Sequence, residues 1–531
     1  MHSRQFAFAF AFLAAAAAWA SGENLPAKLK SYVADFNRTD TETVTNAIPN
    51  KDAGAFLLAN VPLFECPDKE IERTYYFRWW TFRKHLRHGT GHWTVSEFLP
   101  EVRWAGPDNS IVCAAGHHFR EARWLRDRSI IGDLARFWLS DPVTETNRWR
   151  YSSWLFTSVR NAVKVSGDEP LLRSLLADAV RYYERWEAGM DYRLYGRNWN
   201  AVVPFRMGLR ECGMFASVDN HEGTEITLSG SGFRPLFNSA MWSEANAIAS
   251  VAAEMGDAAL AARFKAKAEA LAAEIKRNLW DGAFFVTMTT NKVRTAAHEL
   301  HGYAPWYFGM PLAHEYDVAF RELAAADGFR APWGLTFAAQ RTPGFSLTCD
   351  WHECFWTGPV WPFATSIALT ALANRLQAEG RPTLSGVDFT ELLHDYAAAQ
   401  ILVRIDGSRI PWIDESQNPY TGDWITRTLR LRGCAERNEP YSERGKDYNH
   451  STFCDLVIAG LAGLVPHRDG QIDVRPLFPK EWDYLAMENV PYHGSLVSIY
   501  WDRDGRRYGK GAGLSVFKDG LPFLCRRGES R

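Results

Sequence analysis

The sequence predicts a mainly α-helical barrel carrying a small β-rich C-terminal appendix. Two observations carry this. From about residue 153 apolar residues recur at helical spacing, in segments that pair as hairpins. After residue 470 the pattern changes to alternating, turn-bounded stretches that read as strands. Composition agrees: 531 residues with 46% hydrophobic and 23% charged describe an ordinary globular chain.

Taken in order, residues 1–20 read as a secretory signal. Arg4 supplies the positive start, Phe6 to Ala18 is an unbroken apolar run, and Ala18-Trp19-Ala20 is a small-x-small cleavage site. The run is too short to span a bilayer, and no other apolar run reaches about 18 residues, so the expectation is an exported protein with no membrane partner. Residues 21–60 are polar and weakly patterned, an expected lead-in, and 61–126 are Trp-rich and irregular. Helices are expected within 153–187, over Asn238 to Met255 and over Ala258 to Leu279, the last two joined at Gly256-Asp257. Others are expected over Trp361 to Leu376, Phe389 to Ile401 and His450 to Leu464. In the tail, Ile472-Asp-Val-Arg-Pro, Gly494 to Trp501 and Leu514 to Phe517 read as strands, with Asp502-Arg-Asp-Gly505 as a hairpin turn. The expected layout is a signal at 1–20, a lead-in at 21–60, a helical barrel at 61–466 and the appendix at 467–531.

Charge and aromatic content narrow the function classes. Sixty Lys and Arg against 62 Asp and Glu argue against a chain that coats nucleic acid. The 22 Trp point to aromatic surfaces for a flat-faced polar ligand, a description that sugars fit. The eight Cys match no zinc spacing, and scattered thiols or some disulfides both fit them.

Cleaving a glycosidic bond requires two carboxyls, one protonated to donate to the leaving oxygen and one ionised. Acids in Gly- and Trp-rich loops between helices are therefore the candidates. Glu225 lies in the 219–235 loop among apolar and β-branched neighbours that favour its protonated form. Glu415 lies between Trp412 and Trp424, before the Asn418-Pro419 turn. A surface acid and a turn-capping acid are the respective alternatives. The 349–365 segment offers Trp351, Trp356 and Trp361 as a stacking platform, or else as a core plug. In the 443–453 segment, Asn449 or Ser451 caps a helix or contacts ligand.

Trp356-Thr-Gly-Pro-Val-Trp-Pro362 resembles the W-x-G-P-x-W-P segment of clan-G glycoside hydrolases: family 63, the mannosylglycerate hydrolase-like proteins and, more distantly, the family 37 trehalases. Glu415-Ser-Gln-Asn-Pro-Tyr-Thr-Gly422 is similar to their E-x-x-N-P-x-T-G segment, whose Glu is the general base. Gly223-Thr-Glu225 lies where the family has G-x-D with the general acid, and His118 to Asp127 loosely resembles a substrate-binding stretch of trehalases. The likeness covers roughly residues 70–465. It implies an (α/α)6 barrel and inversion of configuration on an α-glycoside; the expected substrates are α-glucosides or α-mannosides, and acid–base chemistry of this kind requires no cofactor or metal. The chain departs from the pattern in having Glu for Asp at the acid, in Asp191 of Gly189-Met-Asp191 as a rival acid, and in about 25 extra residues before Tyr448.

The resulting assignment makes Glu225 the acid and Glu415 the base, with carboxyls about 6.5–9.5 Å apart for inversion. Trp79, Trp80, Arg83, Trp104, Arg123, Trp124, Trp356, Trp361 and Trp412 are the expected sugar contacts. The alternatives are a polysaccharide lyase using His117, His118 or Tyr448, a phosphorolytic enzyme, and a non-catalytic carbohydrate-binding protein.

Overall fold

The computed structural model describes residues 24–89, 91–195, 202–349, 352–378 and 388–526; the 1–20 leader and Trp351 lie outside them. Six helical hairpins build the barrel. The inner ring runs Ala115–Ala122, Leu155–Ser166, Pro235–Glu254, Ala304–Tyr307, Pro362–Gln377 and the π-helical Leu456–Leu461, each packed on the next. The outer elements are Lys69–His85, Ser129–Leu139, Leu176–Ala188, Ala258–Leu279, the 3-10 segment His314–Leu323, and Phe389–Ala398. This is an (α/α)6 architecture.

Local chemistry starts these helices where the sequence places its caps. Asp68, Asp257 and Asp388 accept from the first-turn amides of the helices that follow them. Pro235 and Pro362 occupy first-turn positions, where a missing N–H costs nothing.

The inner ring closes through two buried carboxylates. Glu121, on the first inner helix, accepts from the amides of Phe453, Cys454 and Asp455, the donors that open the last one. Asp455 in turn takes Arg123 Nε at 2.7 Å, Arg120 at 3.1 Å and Trp124 Nε1 at 2.6 Å. The two cations hold the Asp455 carboxyl below its ordinary range against its burial.

Several expectations are corrected. The lead-in at 21–60 holds two helices, Leu25–Thr39 and Ala53–Asn60; the first buries Leu25, Leu29, Val33 and Phe36 along one face. The irregular stretch at 61–126 contains the Lys69–His85 helix. Fourteen of its seventeen residues are buried, because the Leu25–Thr39 helix covers its outer side, so no polar face marks it in the sequence. The helix expected at His450 to Leu464 shortens to Leu456–Leu461, since His450 to Thr452 are drawn into the loop at its mouth. A hairpin, Met190–Tyr195 with Val202–Leu209, and a helix, Ile425–Glu436 inside the extra segment, were not expected.

The tail forms a five-stranded antiparallel sheet in the order Leu63–Glu65, Tyr484–Tyr492, Ser495–Asp502, Gly513–Lys518, Leu521–Arg526. Its first strand comes from upstream of the barrel, so the appendix is built from both ends of the chain. The segment at 472–476 supplies only Asp473–Val474, paired with Leu464–Val465. Asp502 to Gly505 opens a longer connection rather than a tight hairpin, with the Asp502 carboxylate accepting from the amides of Gly505, Arg507 and Tyr508. The seven cysteines with described side chains are free thiols. No described helix is long and apolar enough to cross a membrane.

Asp455→Asn leaves two buried guanidiniums without their counter-charge. It is expected to lower unfolding free energy by about 3–5 kcal/mol in urea titrations; a change inside half a kilocalorie would mean that ring closure does not depend on this carboxylate.

Candidate active site

The segments that lead into the N-termini of five inner helices converge on one hollow of about 290 Å³. Glu97, Phe98 and Trp104 come from the segment before Ala115, and Tyr151 from that before Leu155. Gly223 and Glu225 precede Pro235, Cys354 and Trp361 precede Pro362, and Glu415, Arg444, Tyr448 and His450 precede Leu456. Helix N-termini carry partial positive charge, so this end of the ring favours acids.

Glu225 is held by two neighbours. Arg234, at the start of the Pro235–Glu254 helix, pairs with buried Glu222 at 3.0 Å and donates to Thr224, Ser229 and Gly230, which flank Glu225 in the loop. Trp356 pins the loop from the other side: its amide donates to Ile226 O at 2.8 Å, and its indole Nε1 donates to Glu225 Oε2 at 3.1 Å. Glu225 has φ of +31°, rare for a residue with a side chain and characteristic of strained functional positions.

The same Trp356 segment reaches the second acid. Val360 and Gln417 exchange both backbone hydrogen bonds, at 2.9 and 3.0 Å, two residues from Glu415. The stretch 356–362 is thus a splint between the Glu225 loop and the Glu415 loop. Its Gly358 is required, because a Cβ there would sit 2.7 Å from Ser346 O. Trp356 stacks on Trp361 at 4.1 Å, and Trp361 on Phe363 at 4.5 Å.

The two acids differ electrostatically. Burial drives the Glu225 carboxyl well above its ordinary range, and the negative charge of Glu415 pushes it further. Burial also raises Glu415, but Arg430, the Cys354 thiol and Arg444 oppose it. The thiol, kept protonated by burial, donates to Glu415 Oε1 at 3.0 Å. Both are pushed up, Glu225 the further, so Glu225 is the member of the pair that holds a proton more firmly and Glu415 the more acidic one.

Among the expected contacts, Trp104 and Trp361 line the hollow and Trp356 grips Glu225 from behind it. The others lie elsewhere. Trp79 is packed in the core against Tyr75 and Phe82. Trp80 bonds Asn37, and Arg83 bonds Asn50 and Ile48, both facing the N-terminal helices. Arg123 and Trp124 serve Asp455 in the ring closure. Trp412 is buried, with Arg427 and Lys446 over its ring. Trp is the residue that fills the gaps between two helical layers, so most of these indoles are mortar. Asp191 sits on an outer strand, 87% exposed and paired with Arg206. His117 and His118 are buried, bonded to Thr452 and Asn449, and do not line the hollow, whereas Tyr448 does.

Sequence reasoning missed Glu97, Arg444 and His450. Glu97 accepts from the Tyr448 hydroxyl, and burial pushes its carboxyl up to about 8. Arg444 pairs with Glu353 and lies over Trp104 at 4.9 Å. Glu97 Oε2, Trp361 Nε1 and both ring nitrogens of His450 are buried without a protein partner among the described residues. Buried polar atoms are almost always bonded, so orphans gathered around one hollow mark places for a ligand rich in hydroxyls. No local motif announces Glu97; its Trp93-Thr-Val-Ser-Glu-Phe98 surroundings read as ordinary strand.

Residues 107–451 match the family model of the mannosylglycerate hydrolase MGH1-like glycoside hydrolase domain, and residues 465–523 that of the glycosyl hydrolase family 65 C-terminal domain. Among solved structures, a chain titled "Sialidase" is similar at 32% identity with a TM-score of 0.82, over 94% of this chain and 43% of that one. A family 78 rhamnosidase of Bacillus sp. GL1 is similar at 12% identity with a TM-score of 0.52, over 83% of this chain and 40% of its own. The chain spans less than half the length of either structure.

Glu97 also predicts a pH signature. Its carboxyl titrates near 8 when folded, against an ordinary value of 4.5. Between those values the folded protein holds a proton that the unfolded chain has lost, so this group makes stability fall as pH rises through the interval and level off above it. Glu97→Gln, neutral throughout, is expected to gain stability relative to the parent from pH 5 to pH 8 in thermal melts. A constant difference across that range would contradict a protonated Glu97.

Proposed function

The chain belongs to the mannosylglycerate hydrolase MGH1-like glycoside hydrolase family, and we propose that it is an exported, inverting α-glycosidase. The observation that carries this is the pair Glu225 and Glu415, facing one hollow, both pushed up by burial but Glu225 the further. Glu225 protonates the glycosidic oxygen as the bond to the anomeric carbon breaks. Glu415 removes a proton from the water that attacks that carbon from the opposite face. Export rests on the leader pattern of residues 1–20.

The substrate is a carbohydrate with a neutral sugar at the cleaved end, an α-glucoside or α-mannoside. Glu97 and Glu225 are held neutral, and the remaining Glu353 and Glu415 stand against Arg444, which Glu353 already engages, so nothing at the hollow favours an acidic sugar. The volume stands at the low end of the roughly 300–1,000 Å³ common for small-molecule sites, which suits a short glycoside. Trp361 offers a donor and an aromatic face, and His450 offers further hydrogen bonding.

A screen of aryl α-glycosides and α-linked disaccharides, with the released anomer read by proton NMR, tests the reading. The first-formed sugar is expected to be the β-anomer. Glu225→Gln and Glu415→Gln are each expected to lose about 10²–10⁴-fold in turnover. Retention of configuration, or both variants within about tenfold of the parent, would reject the assigned roles. In the parent, kcat/KM falls at low pH as Glu415 gains its proton and at high pH as Glu225 loses one. Because the Cys354 thiol favours ionised Glu415, Cys354→Ala is expected to move the acidic limb to higher pH while Cys354→Ser leaves it in place; an unmoved limb in the alanine variant would disprove that contact's influence.

A further inference from the structure

A second hollow of about 210 Å³ lies where inner helices end, remote in the fold from the acid-lined one. That is several times the roughly 30 Å³ occupied by one water in the liquid. Its walls include Arg120, Arg123, Lys164, Asn161, Asn374 and Asp455. Asp455 is the one acid among them and is already shared between the two arginines. Three cations therefore face one carboxylate.

Cations gather at helix C-termini to meet orphan carbonyls, and Arg123 does this through Asn161 O at 3.4 Å. Lys164 does not. It sits near the end of the Leu155–Ser166 helix, and its ammonium makes no hydrogen bond or ion pair among the described residues. Burial first, and then the positive charges of Arg160, Arg123, Arg120 and Arg468, pull its pKa down to about 7. Arg468 is occupied by Glu169 and Glu254, while Arg160 keeps a buried Nε without a partner. A half-buried ammonium among an excess of like charges is costly unless an anion completes it.

We propose that this hollow is an oxyanion-binding site, taking a phosphate or sulfate group between Lys164 and the Arg120–Arg123 pair. Tetrahedral oxyanions match the donor set: Arg120 spends Nε on Tyr307 and Nη1 on Asp455 and keeps Nη2, Arg123 adds positive charge while bonded to Asp455 and Asn161 O, and the ammonium is a point charge, with the amide nitrogen of Asn374 spent on Trp306 O and Tyr307 O. The group arrives as the free inorganic ion or as an ester on a sugar. Occupancy would bridge the first two inner helices to the last, because Asp455 opens the latter, and so would tighten the ring far from the catalytic pair.

Isothermal titration and thermal melts of the full chain test this with inorganic phosphate, inorganic sulfate, glucose 6-phosphate and, at matched ionic strength, chloride. A saturable heat and a rise in melting temperature are expected with at least one oxyanion and not with chloride. Binding of the inorganic ions identifies the free ion as the ligand, and binding of the ester alone identifies a sugar phosphate. Lys164→Met is expected to weaken that binding by about tenfold or more, and Lys164→Arg to retain it, both melting like the parent in chloride. Absence of saturable binding by every oxyanion, or unchanged affinity in Lys164→Met, would overturn the proposal.

Discussion

The barrel depends on how its inner ring closes. Five of the six junctions join neighbours along the chain, but the sixth must join the Ala115–Ala122 helix to a segment more than 330 residues later. Apolar packing alone specifies such a junction poorly, since any oily face fits another. Here direction and register come from hydrogen bonds: Glu121 accepts the amides that open the last helix, and Asp455 of that helix returns to Arg120, Arg123 and Trp124. Charged groups buried in this way stabilise little in net terms, yet any other arrangement would leave one of them buried and unpaired, which is costly. The mouth of the active hollow inherits its geometry from that lock, because Tyr448 and His450 sit a few residues upstream of the same amides.

The polarity of the ring then sorts the chemistry. Five inner helices turn their N-terminal ends to the acid-lined hollow, so their positive ends gather at one side. The positive side holds Glu97, Glu225, Glu353 and Glu415; the second hollow holds Arg120, Arg123 and Lys164. One backbone array thus supports an acid-rich hollow and a cation-rich one at opposite ends. Within the first, crowding of carboxyls in a poorly solvated space separates their proton affinities. Burial, reinforced by the charge of Glu415, keeps Glu225 protonated, while Arg430, the Cys354 thiol and Arg444 keep Glu415 the more acidic.

The Trp356-to-Pro362 stretch explains why such a motif is compact. A single seven-residue segment must grip Glu225 through an indole N–H, pair with the Glu415 loop through Val360, supply the aromatic wall at Trp361 and begin a helix at Pro362. Each task needs one residue type at one spacing, and Gly358 allows the backbone to pass against Ser346.

From its residues alone the chain determined the mainly helical class, the paired helices at 235–279, the tail strands at 495–502 and 513–518 and, through motif resemblance, both candidate acids. These were legible because caps, prolines, helical period and contiguous motifs are local signals. The Lys69–His85 helix was not, since burial on every side erases the polar face that periodicity needs. Nor were the sugar contacts: all nine expected aromatic and arginine residues are chemically suited to a sugar, but only tertiary placement separates Trp104 and Trp361 at the hollow from Trp79, Trp80 and Trp124 in the packing. Glu97 and Lys164 make the same point for charge. An acid is held neutral, or an ammonium left without a counter-ion, only by what segments distant in sequence bring beside it, and those are distances that composition and spacing do not contain.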